Sequence, residues 1–341
     1  MFDRVLKAAA AAALLLAPLI APGVAAAREM RVSSFEPPQG FYSAKILQVW
    51  IDKVNAKLSK GNAFKLYPGS ILGAPPAQAD LVKAGVADVA LVVPTYTPGV
   101  FPMTGVVEVP GLVKSSAQGT AVLNALQADG ALKKEYADYK VIALFTTPGY
   151  RFLMTRPGLD TPAAMKGLKL RSPSSFGSTL LGLVGASGVS IPAPQVYENL
   201  ERGVVSGAVW VMDAYRTFRL YEVAPYVVDT RVTASPMAIL MNRNTYNALP
   251  GADRKVIDEM SGKAAATWIS DVVDTTDAAI AKTFHENPKI HFVTLSDAQQ
   301  TAWDTALKGA SAAWVAAQTD KAGARKVLKE AEQVSAANAP K

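Results

Sequence analysis

The chain has 341 residues, no cysteine, and 35 Lys and Arg against 28 Asp and Glu, a net charge of +7. Without cysteine there are no disulfides, thiol nucleophiles or cysteine metal sites, and the length predicts two domains whose cores need no cross-link. The basic residues are scattered rather than interleaved with aromatics in a run, which argues against a nucleic-acid surface, while a mild positive field favours anionic ligands.

In chain order, the first element is a secretory signal peptide over residues 1–27. Arg4 and Lys7 form its positive end, Ala8 to Ile20 its apolar stretch, and Ala25-Ala26-Ala27 its cleavage site. No later run reaches the ~20 apolar residues that a membrane span needs, so the expected product is an exported, periplasmic protein.

Met30 to Ser34 predicts a first strand. Leu47, Trp50, Val54 and Leu58 recur at helical spacing and predict a helix from about Tyr42 to Leu58. Phe64 to Tyr67 predicts a strand, Ala77 to Lys83 a short helix, and Asp88 to Val93 a third strand. This alternation belongs to a parallel sheet covered by helices. It continues with a helix from Ala117 to Glu135 and strands at Lys140 to Phe145, Phe152 to Thr155 and Leu168 to Leu170. Helices near Phe176 to Leu183 and Tyr197 to Arg202 follow, then strands at Val204 to Val211 and Met237 to Met241. From Asp253 the pattern is helical, with Val256, Met260, Ala264, Trp268 and Val272 at intervals of four. A short strand at Pro288 to Val293 precedes a capping box at Ser296 to Gln299. That box opens a final helix with Trp303, Leu307, Ala310 and Trp314 on one face, and the tail from Val334 is expected to fray. No linker separates the domains, so the chain is expected to cross between two lobes more than once, as in a hinged binding protein.

The residues for catalysis are scarce. His285 and His291 stand alone, and His285-Glu286 lacks the second histidine of H-E-x-x-H. Gly182, Gly185 and Gly188 miss the dinucleotide spacing and read as cap and turn glycines. No nucleophile elbow and no metal cluster emerges. Binding has better material. Arg151 and Arg171 sit inside short apolar runs, R-F-L-M and L-K-L-R-S, where a charge is expensive unless paired. A guanidinium suits a carboxylate because it makes two parallel charge-assisted bonds. With Tyr96, Phe176 and Trp210 nearby, the two arginines would frame a pocket for an organic acid. Internal acids such as Asp160 or Glu198 are the alternative partners.

Several segments, in this order and spacing, carry a family resemblance: LYPGSILGAPPAQADLVKAGVADVALVVPTYTPGVFPMTGVVEVPGL, TPAAMKGLKLRSP, IPAPQVYENLERGVVSGA and MNRNTYNALP. From Met30 to about His285 the chain resembles the DctP-type solute-binding proteins of tripartite ATP-independent periplasmic (TRAP) transporters. The resemblance implies an α/β fold of two lobes, a hinge between them, and a long lobe-spanning helix, expected within Asp253 to Phe284. The lobes would comprise mainly 28–150 and mainly 151–240, with 241–341 packing on both. It also implies that Arg171 anchors the ligand carboxylate and that Arg151 assists. Many members carry V-D-G-x-E-N-P, whose asparagine helps to hold the ligand. Here the run is Val205-Ser-Gly-Ala-Val-Trp210-Val, with Trp210 in the place of that asparagine and Val209 where some relatives have a metal-ligating Glu. The expectation is therefore a carboxylate with an apolar or aromatic body, bound without metal or cofactor. Arg151, Arg171, Trp210, Phe176, Tyr96, Phe35 and Met237 are the expected ligand-binding residues. A TRAP membrane permease is the expected partner, nucleic acid is not, and the expected state is a monomer. A periplasmic protein that reports a ligand to a membrane sensor, or an exported enzyme on the same fold, would share these features.

Overall fold

The computed structural model describes residues 28–339. The predicted signal peptide, residues 1–27, lies outside the described residues. Eleven strands are described: β1 (Arg28–Ser33), β2 (Asn62–Tyr67), β3 (Val89–Val92), β4 (Tyr139–Thr146), β5 (Arg151–Met154), β6 (Lys169–Ser172), β7 (Ser187–Ser190), β8 (Gly207–Trp210), β9 (Tyr226–Val228), β10 (Pro236–Asn242) and β11 (His291–Val293). They form two sheets, ordered β2-β1-β3-β10-β4 and β11-β9-β5-β8-β6-β7. The two sheets define two α/β lobes.

The alternation of strands and helices predicts parallel pairing, and β1 with β2, β1 with β3, β6 with β7 and β6 with β8 obey it. The sheets are nonetheless mixed, because β10 runs antiparallel between β3 and β4, and β5 antiparallel between β8 and β9. These two strands follow the lobe crossings. The chain leaves the first sheet after β4, enters the second at β5, and returns between β9 and β10. Residues 236–240, grouped by sequence with the second lobe, thus hydrogen-bond within the first as part of β10.

Strands that are buried on both faces read as unbroken apolar runs, as in V-A-L-V of β3. The helical spacing from Tyr42 becomes a π-helical turn, Tyr42–Leu47, leading into an α-helix, Gln48–Asn55. The expected long helix begins later than its apolar period suggests. Ser261 is extended and Gly262 has φ +68°, so a helix Gly251–Glu259 ends before a second, Gly262–His285, starts. Val256 and Met260 keep the four-residue spacing across this break, which hides it. The second helix has 24 residues, about 36 Å in length. It packs on β4 and the helix Ser116–Ala128 of the first lobe, and on the helix Met212–Thr217 of the second. After Ser296 three helices replace the single one expected: Asp297–Ala306, Ala310–Ala317 and Lys321–Ala337. The tail does not fray at Val334, because Ser335 is buried, donates to the Leu112 carbonyl and has its own carbonyl bonded by Gln118.

Gly207 in β8 faces the neighbouring strand closely. A Cβ there would lie 2.5 Å from Met154 Sδ and 2.8 Å from the Leu153 carbonyl oxygen. Gly207→Ala should destabilise the protein by about 1–3 kcal/mol, seen as a lower urea midpoint with an unchanged slope.

Candidate functional site

The second sheet brings three of the expected residues to one face. Arg151 pairs directly with Trp210 across β5 and β8, and Arg171 pairs with Ala208 across β6 and β8. Directly paired residues project to the same side, and positions two apart along a strand share a face. Arg151, Arg171 and Trp210 are therefore neighbours on one surface, and both arginines are buried.

Their partners differ. Arg151 Nη1 donates to both carboxylate oxygens of Asp277, at 3.2 and 3.0 Å. Its Nε lies 2.9 Å from Asp229 Oδ1, close enough for an ion pair though not aligned as a hydrogen bond. Asp277 belongs to the long helix and also accepts from the backbone N–H of Met212. Arg151, expected as a second ligand anchor, is thus directed to internal acids, and neither is Asp160 or Glu198. Sequence could not show this, because Asp277 lies more than a hundred residues away and reaches Arg151 only through the packing of the long helix.

Arg171 has no such partner. Nε donates to the Ile191 carbonyl at 3.0 Å, Nη1 to the Val209 carbonyl at 3.2 Å, and Nη2 to Tyr96 Oη at 3.2 Å. These contacts use three of its five N–H bonds. Among the described residues no carboxylate lies within ion-pair reach of it. The guanidinium carbon sits 4.1 Å from the Trp210 ring centroid, a cation–π contact. Trp210 in turn stacks on Phe218, with centroids 5.4 Å apart and rings inclined by 15°.

Tyr96 and Trp210 also line a narrow cavity of about 30 Å³. It lies where the parallel strands of both sheets end, the usual place for a ligand in open α/β sheets. From the first lobe come Phe35 and Glu36 after β1, Tyr42 at the start of the π-helical turn, Val93 and Tyr96 after β3, and Met237 at the head of β10. Thr147 and Tyr150 contribute from the β4–β5 crossing. From the second come Ala193, Trp210 and Val211, with Asp213, Ala214 and Phe218 just beyond β8. The structure therefore gathers Phe35, Tyr96, Trp210 and Met237 around one space, with Arg171 bordering it through Tyr96 and Trp210. Phe176 is half-buried and packs on the core formed by the first lobe and the C-terminal helices, away from this cavity. Glu36, Tyr42, Tyr150, Asp213 and Phe218 were missed by sequence reasoning. Asp213 left one usable sign, a carboxylate three residues after a strand-ending tryptophan.

Burial governs the acids here. Glu36 Oε2 accepts from the backbone N–H groups of Tyr42 and Ser43, at 2.7 and 3.3 Å, yet desolvation pushes its pKa up to about 7. Asp213 is raised well above the usual carboxylate range, by burial first and then by the nearby Glu36 and Asp277. Asp213 thus favours the neutral form, while Glu36 is poised between its two forms near pH 7. Among the described residues no cluster of acids and histidines could hold a metal ion, and no helix is long and apolar enough to cross a membrane.

Comparison with known proteins matches residues 34–318 to the family model DctP, bacterial extracellular solute-binding protein family 7. A TRAP solute-binding protein of Rhodoferax ferrireducens, solved in complex with copurified benzoate, is 26% identical with a TM-score of 0.86. The match covers 91% of this chain and 98% of that one. A marine metagenome TRAP solute-binding protein specific for aromatic acids, solved with 3-hydroxybenzoate, is 26% identical with a TM-score of 0.87, covering 92% and 100%. A solute-binding protein of Albidiferax ferrireducens is 24% identical over 308 residues, 86% of this chain and 87% of its own length.

Two outcomes follow from the buried charges. Arg151→Ala would strand Asp277 without its cation and should cost about 3–5 kcal/mol in chemical denaturation. For Glu36, the folded pKa of about 7 exceeds the ordinary 4.5, so the folded state holds the proton more tightly than the unfolded one. Its contribution is fully present below about pH 4.5 and is lost as pH rises through 7, by at most about 3 kcal/mol. In Glu36→Gln the fall in stability between pH 4.5 and 7 should be shallower than in the parent, in urea titrations at stepped pH.

Proposed function

The chain belongs to the DctP-type solute-binding proteins, bacterial extracellular solute-binding protein family 7, and from that premise we propose that Arg171 is the anchor for the carboxylate of its solute. One observation carries this reading: a fully buried guanidinium bordering the interlobe cavity with no carboxylate partner among the described residues. A carboxylate on Arg171 would turn a buried cation into a buried pair with charge-assisted bonds. Ile191 and Val209 hold the guanidinium plane in place, so its fork is set before the solute arrives.

The walls select the body of the acid. Trp210 and Phe218 present flat apolar rings, and Phe35, Tyr96 and Met237 add further apolar surface. An aromatic carboxylate fits these surfaces best, in keeping with the benzoate and 3-hydroxybenzoate of the two structural relatives. Arg151 acts at one remove: by holding Asp277 and Asp229 it ties β5 to the long helix, and so sets the face on which Arg171 and Trp210 lie. The protein works in the periplasm as a monomeric, non-catalytic receptor and delivers the acid to a TRAP membrane permease.

The test is ligand-induced thermal stabilisation, which follows from mass action. Benzoate at a hundred times its Kd should stabilise the parent by about 2.7 kcal/mol, and the shift should vanish in Arg171→Met measured against its own baseline. A shift of equal size in the variant would remove Arg171 from the anchor role.

A further inference from the structure

Arg171 is one polar feature of the cavity, and a second has no role in holding a carboxylate. Tyr42 and Asp213 are both more than nine-tenths buried and both line the cavity. Tyr42 Oη and Asp213 Oδ2 have no hydrogen-bond partner among the described residues. Buried polar atoms are nearly always paired, and leaving one unpaired costs about 1–3 kcal/mol. Two such atoms facing one cavity, Tyr42 from the first lobe and Asp213 from the second, point to a ligand group.

The surroundings indicate its chemistry. The charged groups that bear on Asp213 are Glu36, Asp277 and Arg216. Asp277 is already engaged by Arg151, and Glu36 Oε2 is held by two backbone N–H groups. The space between Tyr42 and Asp213 is therefore lined by hydroxyl and carboxyl oxygens, which offer an anionic substituent no buried cation and suit a group that donates a hydrogen bond as well as accepting one. A hydroxyl could donate to Asp213 while accepting from Tyr42, and an amine could donate to both oxygens.

We propose that Asp213 and Tyr42 form a second recognition point, which takes a hydroxyl or amine carried by the solute in addition to its carboxylate. The proposal rests on the anchor reading of Arg171 and narrows the ligand from aromatic acids in general to those bearing a donor substituent. Trp210 and Phe218 would hold the ring between the two points.

Isothermal titration of the full mature chain tests it with benzoate, 3-hydroxybenzoate, 4-hydroxybenzoate, 3-aminobenzoate, 3-methylbenzoate and isophthalate. At least one hydroxy or amino acid should bind about tenfold tighter than both benzoate and 3-methylbenzoate, the return expected for one satisfied buried bond. That ratio should fall to about threefold or less in Asp213→Leu and in Tyr42→Phe. The ratio is read within each protein, so a general loss of affinity cancels, and Tyr42→Phe serves if Asp213→Leu does not fold. Equal binding of benzoate and every donor-bearing acid overturns the proposal while leaving the Arg171 anchor standing. So does a ratio that survives both substitutions, or a preference for isophthalate. Binding of none of these acids overturns this proposal together with the aromatic-acid reading.

Discussion

The site depends on the burial of two guanidinium groups on one face of the second sheet. Placing a cation in a protein interior costs several kcal/mol unless an anion and good hydrogen bonds accompany it. Arg151 meets that demand internally, through Asp277 and Asp229. Arg171 meets it with two backbone carbonyls, a tyrosine hydroxyl and an indole face. Those four contacts hold the charge in place without neutralising it. The difference between the two arginines, set by which helix packs over which strand, separates a structural cation from one available to a solute.

The long helix makes that separation. Its Asp277 meets Arg151 of the second lobe, and its Asp274 accepts from the backbone N–H groups of Ser116 and Ala117 at the head of a first-lobe helix. One turn of one helix therefore contacts both lobes by charge-assisted bonds. The Tyr96–Arg171 bond joins the lobes again at the cavity. A ligand carboxylate reaching Arg171 would sit where the lobes already meet, so binding and lobe closure are coupled by position.

Much of this was legible in the sequence, and the rest was hidden for identifiable reasons. Strands such as V-A-L-V and R-F-L-M declare themselves by apolar content, and a charge within such a run marks Arg151 and Arg171 as exceptional. Periodicity could not show that the helix from Asp253 is broken, because Val256 and Met260 keep their spacing through the turn at Gly262. It also could not assign β10 to the first sheet, since its apolar run fits either. Arg151 and Arg171 look alike in sequence, and only the fold brings Asp277 to one of them. Phe176 has the right residue type four positions after the right strand, yet its helix turns it toward another core. Tyr42 was invisible as a site residue and Asp213 nearly so, because a tyrosine heading a helix or a lone acid after a strand-ending tryptophan is ordinary until both meet one cavity.

The electrostatics of the cavity follow from the same burial. Glu36 and Asp213, if ionised, would oppose the entry of an anionic solute and compete for the field of Arg171. Desolvation instead favours the neutral form of Asp213 and leaves Glu36 poised between its two forms near pH 7. Arg151 and Arg231 together balance Asp277 and Asp229, so Arg171 is left as the buried cation without an acid of its own. In the proposed complex a carboxylate would meet the Arg171 guanidinium beside the rings of Trp210 and Phe218, with Tyr42 and a neutral Asp213 able to exchange hydrogen bonds with its substituents. Low dielectric strengthens each of these interactions. On the proposed reading, the burial that makes Arg171 costly without a solute is the same property that would draw an anion to it.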